Sequence, residues 1–92
     1  METLTKTEIQ DFIQVRERNK ICFLIALTFP CTFIPRADGG LDGEFELTTE
    51  LEKAMLGYHQ NRLIPVQDFI AASRYVSDAI HDHRQRQGVN RG

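Results

Sequence analysis

The feature that most constrains the fold is a largely apolar run, ICFLIALTF, at residues 21–29. A helix that crosses a membrane needs about 20 predominantly apolar residues, and this run is less than half as long. Its β-branched and aromatic side chains favour a strand, and both faces of that strand would be largely apolar. We therefore expect a strand at residues 21–28 that is covered on both sides or central in its sheet, in a protein without a membrane segment.

The residues after this run have the pattern of a β-hairpin. Pro30 cannot donate a ladder hydrogen bond, so it marks a turn, a bulge or an edge, and a second strand is expected at residues 31–35. The DGG stretch at residues 38–40 predicts a tight turn, because glycine adopts positive φ without a clash. The alternation EFEL at residues 44–47 predicts a half-exposed strand with Phe45 on its inner face.

Helical patterns flank this region on both sides. A capping-box pair in TKTE predicts a first helix at residues 6–18. Thr49 and Glu52 repeat the capping-box spacing at the start of a second helix with one apolar stripe. Pro65 predicts the start of a third helix, because its missing N–H has no partner to lose there, and this helix is expected to end near residue 84.

These elements predict one α+β domain over residues 1–92. We expect a two- or three-stranded antiparallel sheet packed against about three helices, in the order α-β-β-(β)-α-α. Residues 85–92 are expected to form a frayed basic tail. The periodicity predicts a buried core that includes Phe23, Ile25, Phe45, Leu51, Met55, Phe69 and Ile80.

Charge and cysteine content limit the function classes. The chain has 13 acidic and 11 basic residues, a net charge of −2, so no general attraction to nucleic acid or an anionic membrane is expected. Cys22 and Cys31 form no CxxC pair, and the opening residues lack the pattern of a secretion signal. A cytoplasmic location is the expectation from both observations.

The sequence predicts no catalytic site, no metal site and no cofactor. It contains no GxSxG, phosphate-loop or HExxH motif, so we expect a protein that is not an enzyme. The acidic loop that begins at Asp38 resembles a calcium loop, but Thr49 stands where a bidentate glutamate is required. His81 and His83 are two residues apart, so on a helix they point in different directions and cannot share one metal ion.

Charged residues are separated along the chain. Residues 38–52 contain six acids and no base, whereas residues 83–92 contain three arginines and no acid. Such runs are typical of solvated surfaces, and they also allow a contact surface of two signs, because arginine binds phosphate or carboxylate with a bidentate fork. The candidate partner-binding residues are Asp38, Asp42, Glu44, Glu46, Arg84, Arg86 and Arg91.

The chain as a whole resembles the small phage-encoded anti-CRISPR proteins that act on type I CRISPR surveillance complexes. The resemblance lies in the short chain, the opening METLTKTEIQDF, two isolated cysteines, segregated charge and the lack of a catalytic motif. That family has no shared sequence motif, so no site residue is transferred. The resemblance implies a non-enzymatic inhibitor in the cytoplasm of an infected bacterial cell. It would bind a multisubunit Cas protein–crRNA complex and block target DNA binding.

Two other functions are compatible with the sequence. Residues 50–80 predict two helices around a short break, a spacing found in nucleic-acid-binding transcriptional regulators. Acids outnumber bases in that segment, however, and we expect no binding to free duplex DNA. A toxin-neutralising or dimeric interaction protein is the other alternative, with an apolar patch around Phe29, Phe33 and Ile34.

Overall fold

The computed structural model describes residues 11–89, and the side chains of residues 11–86. In this part of the chain the three strands form an antiparallel sheet in the order β1-β3-β2. The predicted α+β class, with three strands and three helices, is confirmed. The elements are β1 (Phe12–Val15), α1 (Arg18–Ala26), β2 (Thr32–Pro35), β3 (Leu41–Glu46), α2 (Thr49–His59) and α3 (Val66–Val89).

The apolar run forms helix α1, so the strand expected at residues 21–28 is wrong. Four consecutive residues of α1, from Ile21 to Leu24, are buried. They are buried because α1 packs against α2, α3 and β1 and lies at the centre of the molecule. A helix enclosed on several sides can be apolar all round, so a short apolar run carries no periodicity that would separate it from a buried strand.

The helix expected at residues 6–18 is wrong over residues 12–15, which form β1; residues 6–10 lie outside the described part of the chain. Side chains of β1 alternate between the two faces of the sheet, with Val15 buried and Phe12 exposed. The chain therefore begins its described fold in the order β-α, where the expected order was α-β.

The hairpin is confirmed. Strand β2 lies within the expected residues 31–35, and β3 includes the first three residues of the EFEL alternation. Gly39 has a φ of 92°, and the Arg36 N–H donates to the Gly40 carbonyl at 2.8 Å to close the turn. Pro30 lies in the connection between α1 and β2, so it follows a helix and does not divide two strands.

The helices cover one face of the sheet, which we call the inner face. Gly43, in the middle of the central strand, lies directly under α1. A Cβ atom at Gly43 would be 3.2 Å from Ile21 Cγ1 and 3.1 Å from Cys31 Sγ, so glycine permits this close approach. Of the predicted core, Phe23, Phe45 and Leu51 are buried, while the other four are only partly buried: Ile25, Met55, Phe69 and Ile80.

Side-chain and backbone caps set the bounds of α2 and α3. The Thr48 hydroxyl accepts from the Leu51 N–H at 3.0 Å, one residue before the predicted cap at Thr49. Pro65 immediately precedes α3, as predicted, and its carbonyl accepts the first-turn N–H of Phe69 at 3.2 Å. Helix α3 continues to Val89, past its expected end near residue 84.

Candidate binding surface

Two of the predicted acidic residues, Asp38 and Asp42, form ion pairs with Arg36 within the hairpin. The Arg36 guanidinium donates from Nε to Asp38 Oδ1 at 3.1 Å and from Nη1 to Asp42 Oδ1 at 2.7 Å. Arg36 Nη1 also donates to the Leu41 carbonyl at 3.1 Å. The Asp42 side chain is only 15% exposed, so it does not project into solvent as the sequence led us to expect. Asp38 and Asp42 therefore stabilise the turn with Arg36.

The turn favours the charged forms of these groups. The Gly40 N–H donates to Asp38 Oδ1 at 3.0 Å, and this hydrogen bond together with the Arg36 side chain lowers the pKa of Asp38. The hydrogen bond to Asp42 raises the pKa of Arg36. Arg16 lies 3.3 Å from Asp38 Oδ2 and adds a more exposed cation. The hairpin end is thus close to electrically balanced despite its acidic sequence.

The other two predicted acids lie on the outer face of the central strand. Glu44 is opposite Gln14 of β1 and Thr32 of β2, and Glu46 is opposite Phe12. Two residues along a strand span about 7 Å, so the carboxylates of Glu44 and Glu46 follow one another in a row along the outer face. Among the described residues neither carboxylate has an ion-pair partner.

We call this row and its cross-strand neighbours the outer-face surface. It comprises the exposed or partly exposed side chains of Phe12, Gln14, Thr32, Glu44 and Glu46, and the pair Ile34 and Asp42 continues the same face toward the turn. Carboxylates at its centre and aromatic or aliphatic groups at its edges suit a contact with a basic protein surface, because complementary charge steers association and fixes register.

Two of the three predicted arginines lie on the long helix α3. Arg84 and Arg86 are exposed on the last turns of α3, and Arg91 lies outside the described residues. Arg86 lines a groove together with Leu41 of β3, so it lies at the same end of the molecule as the hairpin turn. The outer-face surface and the groove lie on opposite faces of the hairpin, so the acids and the arginines do not form one continuous patch.

The groove, with a volume of about 350 Å³, is a feature that the sequence analysis did not predict. One wall is the inner face of the hairpin, with Phe33, Pro35 and Leu41. The other wall is a stripe of α3 at helical spacing, formed by Tyr75, Asp78, Ala79, Asp82, His83 and Arg86. The i, i+3, i+4, i+7 spacing of that stripe was the available signal, but its charges are typical of an exposed helix end.

Exposed apolar side chains concentrate at the connection between α2 and α3. Leu63 is 92% exposed and Val66 is 66% exposed. The patch expected around Phe29, Phe33 and Ile34 is instead partly buried. The most exposed apolar surface therefore centres on Leu63 and Val66.

Burial raises the pKa of the Cys31 thiol to about 11, against a smaller opposing effect from the backbone of Glu44. Cys31 is therefore a neutral thiol at physiological pH and a poor nucleophile. Among the described residues no three His, Cys, Asp or Glu side chains converge in a way that could hold a metal ion. Within residues 11–89 no helix has both the length and the apolar character needed to cross a membrane.

Comparison of the chain with models of protein families, with curated proteins and with solved structures gave no match.

Proposed function

We propose that the protein is a non-enzymatic binding protein that inhibits a type I Cas protein–crRNA complex by blocking its access to target DNA. The observation that carries the binding part of this proposal is the row of two carboxylates, Glu44 and Glu46, on the outer face of the central strand, neither of which has an ion-pair partner among residues 11–86. A sheet supported by helices on its inner face presents these groups rigidly, which reduces the entropy lost on association.

The choice of partner rests on the resemblance of the chain to anti-CRISPR proteins and on charge. A complex that holds RNA and captures DNA has surfaces rich in lysine and arginine. Carboxylates about 7 Å apart along a strand can pair with such side chains and compete with DNA phosphates for them. With a net charge of −2 the protein is not a general mimic of DNA, so we expect a local contact and not coverage of the whole DNA channel.

The test is capture of a purified type I Cas protein–crRNA complex, followed by a gel shift of that complex with its target DNA. The wild-type protein should bind the complex and prevent the DNA shift. Glu44→Lys/Glu46→Lys should weaken capture by at least about tenfold, because the substitutions replace attraction with repulsion and close charge pairs can contribute about 1.5 kcal/mol or more.

Glu50→Lys/Glu52→Lys is the matched control, since both residues are exposed on α2 and belong to the same acidic segment. The control should bind like the wild type, and melting curves establish that both variants are folded. A wild-type protein that neither binds the complex nor prevents the DNA shift at micromolar concentration would refute the proposal.

A dimeric interaction protein is a second candidate, which the exposure of Leu63 and Val66 favours. Light scattering coupled to size exclusion tests it directly. A dimer that dissociates in Leu63→Ser/Val66→Ser supports this candidate, whereas a monomeric wild-type protein excludes it.

A further inference from the structure

The two edges of the sheet differ in how well they are protected against pairing with another strand. In the described part of the chain the strand order is β1-β3-β2, so β1 and β2 each have a neighbouring strand on one side. Strand β2 ends at Pro35, which has no N–H to donate to an added strand, and Pro30 precedes it. Prolines at an edge are a common protection against edge-to-edge pairing. Strand β1 contains no proline, so its edge is the one that can accept another strand.

The register of β1 shows which backbone groups point toward this edge. The Leu47 N–H donates to the Asp11 carbonyl at 2.8 Å, which makes these opposed residues a hydrogen-bonded pair. Hydrogen-bonded and non-hydrogen-bonded pairs alternate along antiparallel strands, so the backbone groups of Phe12 and Gln14 point away from β3. Both residues are exposed. The edge therefore offers an N–H donor and a C=O acceptor at every second residue, which is the pattern that another extended strand matches.

The side chains along this edge are complementary to those of a second copy. An antiparallel pairing centred on Gln14 would place Gln14 opposite itself and Phe12 opposite Arg16 of the second copy, and all three residues are exposed. Two amide side chains can hydrogen-bond to each other, because each has donors and an acceptor. A guanidinium group stacks favourably on an aromatic ring. We propose that two copies of the protein pair through β1 and form one continuous six-stranded sheet with two-fold symmetry.

Charge favours a second copy over an unrelated strand. Glu46 lies opposite Phe12 on β3, so Arg16 of the second copy would extend over the Phe12 ring toward the Glu46 carboxylate. Glu46 has no ion-pair partner among residues 11–86 of its own copy. The symmetry forms this contact twice, because each copy supplies the arginine that approaches the glutamate of the other. A strand rich in acids would instead be repelled by the carboxylates of β3.

This pairing would place the outer-face surfaces of the two copies side by side. With strands about 4.8 Å apart, the backbone at Glu44 would be about 14 Å from the backbone at Glu44 of the second copy. The inference is independent of the proposed inhibitor function, which concerns what this surface contacts and is tested by a different assay. It also differs from a dimer formed through Leu63 and Val66, because a different surface is buried.

Sedimentation equilibrium of the wild-type protein at about 10–500 µM tests the pairing. We expect a dimer with a Kd on the order of 10–100 µM, because the contact is confined to one short strand from each copy. Amide exchange of the ¹⁵N-labelled protein locates the interface. The N–H groups of Phe12 and Gln14 should exchange about threefold more slowly at about 500 µM than at about 20 µM, since they are bonded only in the dimer.

Gln14→Pro should abolish the dimer, because it removes an N–H that faces the second copy and leaves the bonds between β1 and β3 in place. Gln14→Thr is the matched control, since it keeps the N–H and favours a strand, and its Kd should stay within about twofold of the wild type. If Gln14→Pro does not fold, Arg16→Glu decides. It leaves the backbone unchanged and should weaken the dimer by about tenfold or more, because two attractive contacts become repulsive.

The dimer should persist in Leu63→Ser/Val66→Ser. A wild-type protein that is monomeric at about 500 µM would overturn the inference. It is equally overturned by a dimer that folded Gln14→Pro leaves intact, by a dimer that Leu63→Ser/Val66→Ser dissociates, or by exchange at Phe12 and Gln14 that does not depend on concentration.

Discussion

Arg36 and Asp42 form an ion pair of 2.7 Å across the hairpin, and both side chains are largely shielded from solvent, at 24% and 15% exposure. The pair places a positive charge directly among the acids of residues 38–46. The acidic character of this segment is thus divided between the carboxylates of Asp38 and Asp42, which pair with Arg36, and those of Glu44 and Glu46, which have no ion-pair partner among the described residues. Charge reversal should separate these two roles.

Asp42→Lys should lower the free energy of unfolding by about 2–3 kcal/mol, because it removes the partner of a partly buried guanidinium and places a second cation beside it. Urea denaturation monitored by circular dichroism gives this quantity. Glu46→Lys is the control, since Glu46 is exposed and should change stability by no more than about 0.5 kcal/mol. Equal effects of the two substitutions would show that the Arg36 pair does not stabilise the hairpin.

The second prediction concerns the stability of the protein at low pH. The Gly40 N–H and the Arg36 side chain lower the pKa of Asp38 from its ordinary value of 3.8, so the folded state favours the carboxylate more than the unfolded state does. The stabilisation is therefore fully present above about pH 4 and is lost as pH falls through the lowered pKa. The wild type should exceed Asp38→Asn in stability at pH 6, and the difference should shrink toward pH 2. Unfolding free energies that run parallel across this range would contradict the assignment.

The end of α1 carries backbone strain that one substitution should relieve. Thr28 has a φ of 71°, a conformation that β-branched residues rarely adopt. The Phe29 N–H donates to the Leu24 carbonyl at 3.1 Å and the Thr28 N–H to the Ile25 carbonyl at 2.8 Å, which is the hydrogen-bond pattern of a Schellman motif. That motif usually has glycine at the position of Thr28.

Thr28→Gly should raise the free energy of unfolding by about 1 kcal/mol, because the penalty of the left-handed conformation exceeds the entropy that glycine loses on folding. Asn61 ends α2 with a φ of 61°, and asparagine tolerates this region, so Asn61→Gly should have a smaller effect. Thermal unfolding of the two variants makes the comparison. A destabilised Thr28→Gly would mean that the threonine side chain contributes more than its strain removes.

The local signals in the sequence predicted the second half of the fold and failed in the first half. The DGG turn, the EFEL alternation and Pro65 each act through backbone geometry within a few residues, so they could be recognised without tertiary structure. Residues 21–26 could not, because their conformation is decided by burial between the sheet, α2 and α3. The preference of β-branched residues for strands is weaker than that packing.

The sequence likewise predicted only part of the candidate site. Strict alternation along β3 placed Glu44 and Glu46 on the face opposite Phe45. The pairing of Arg36 with Asp42 depends on the hairpin register, which brings together residues that are six apart in the chain. The groove depends on α3 lying across the inner face of β2 and β3, a relation between distant segments that no local pattern contains.

The last prediction separates the proposed inhibitor from a DNA-binding regulator. Arg84 and Arg86 are the exposed cations near the end of α3, but Asp78 and Asp82 share the same helix. Helix α2 and helix α3 are joined by residues 60–65, which is longer than the three- or four-residue turn of a helix-turn-helix motif. The acids beside these arginines reduce the positive charge of the helix end, and the net charge of −2 likewise predicts weak binding to phosphates.

Binding to naked duplex DNA at physiological salt should be weaker than a Kd of about 100 µM, and log K against log salt should have a slope no steeper than about −3. Fluorescence anisotropy with a labelled duplex over 50–200 mM salt measures both quantities. Arg84→Ala/Arg86→Ala should reduce the slope by about two while leaving the melting temperature unchanged, since both side chains are exposed. Sub-micromolar binding to the duplex at physiological salt would instead support the transcriptional regulator, because non-specific binding by a protein with a net charge of −2 is expected to be far weaker.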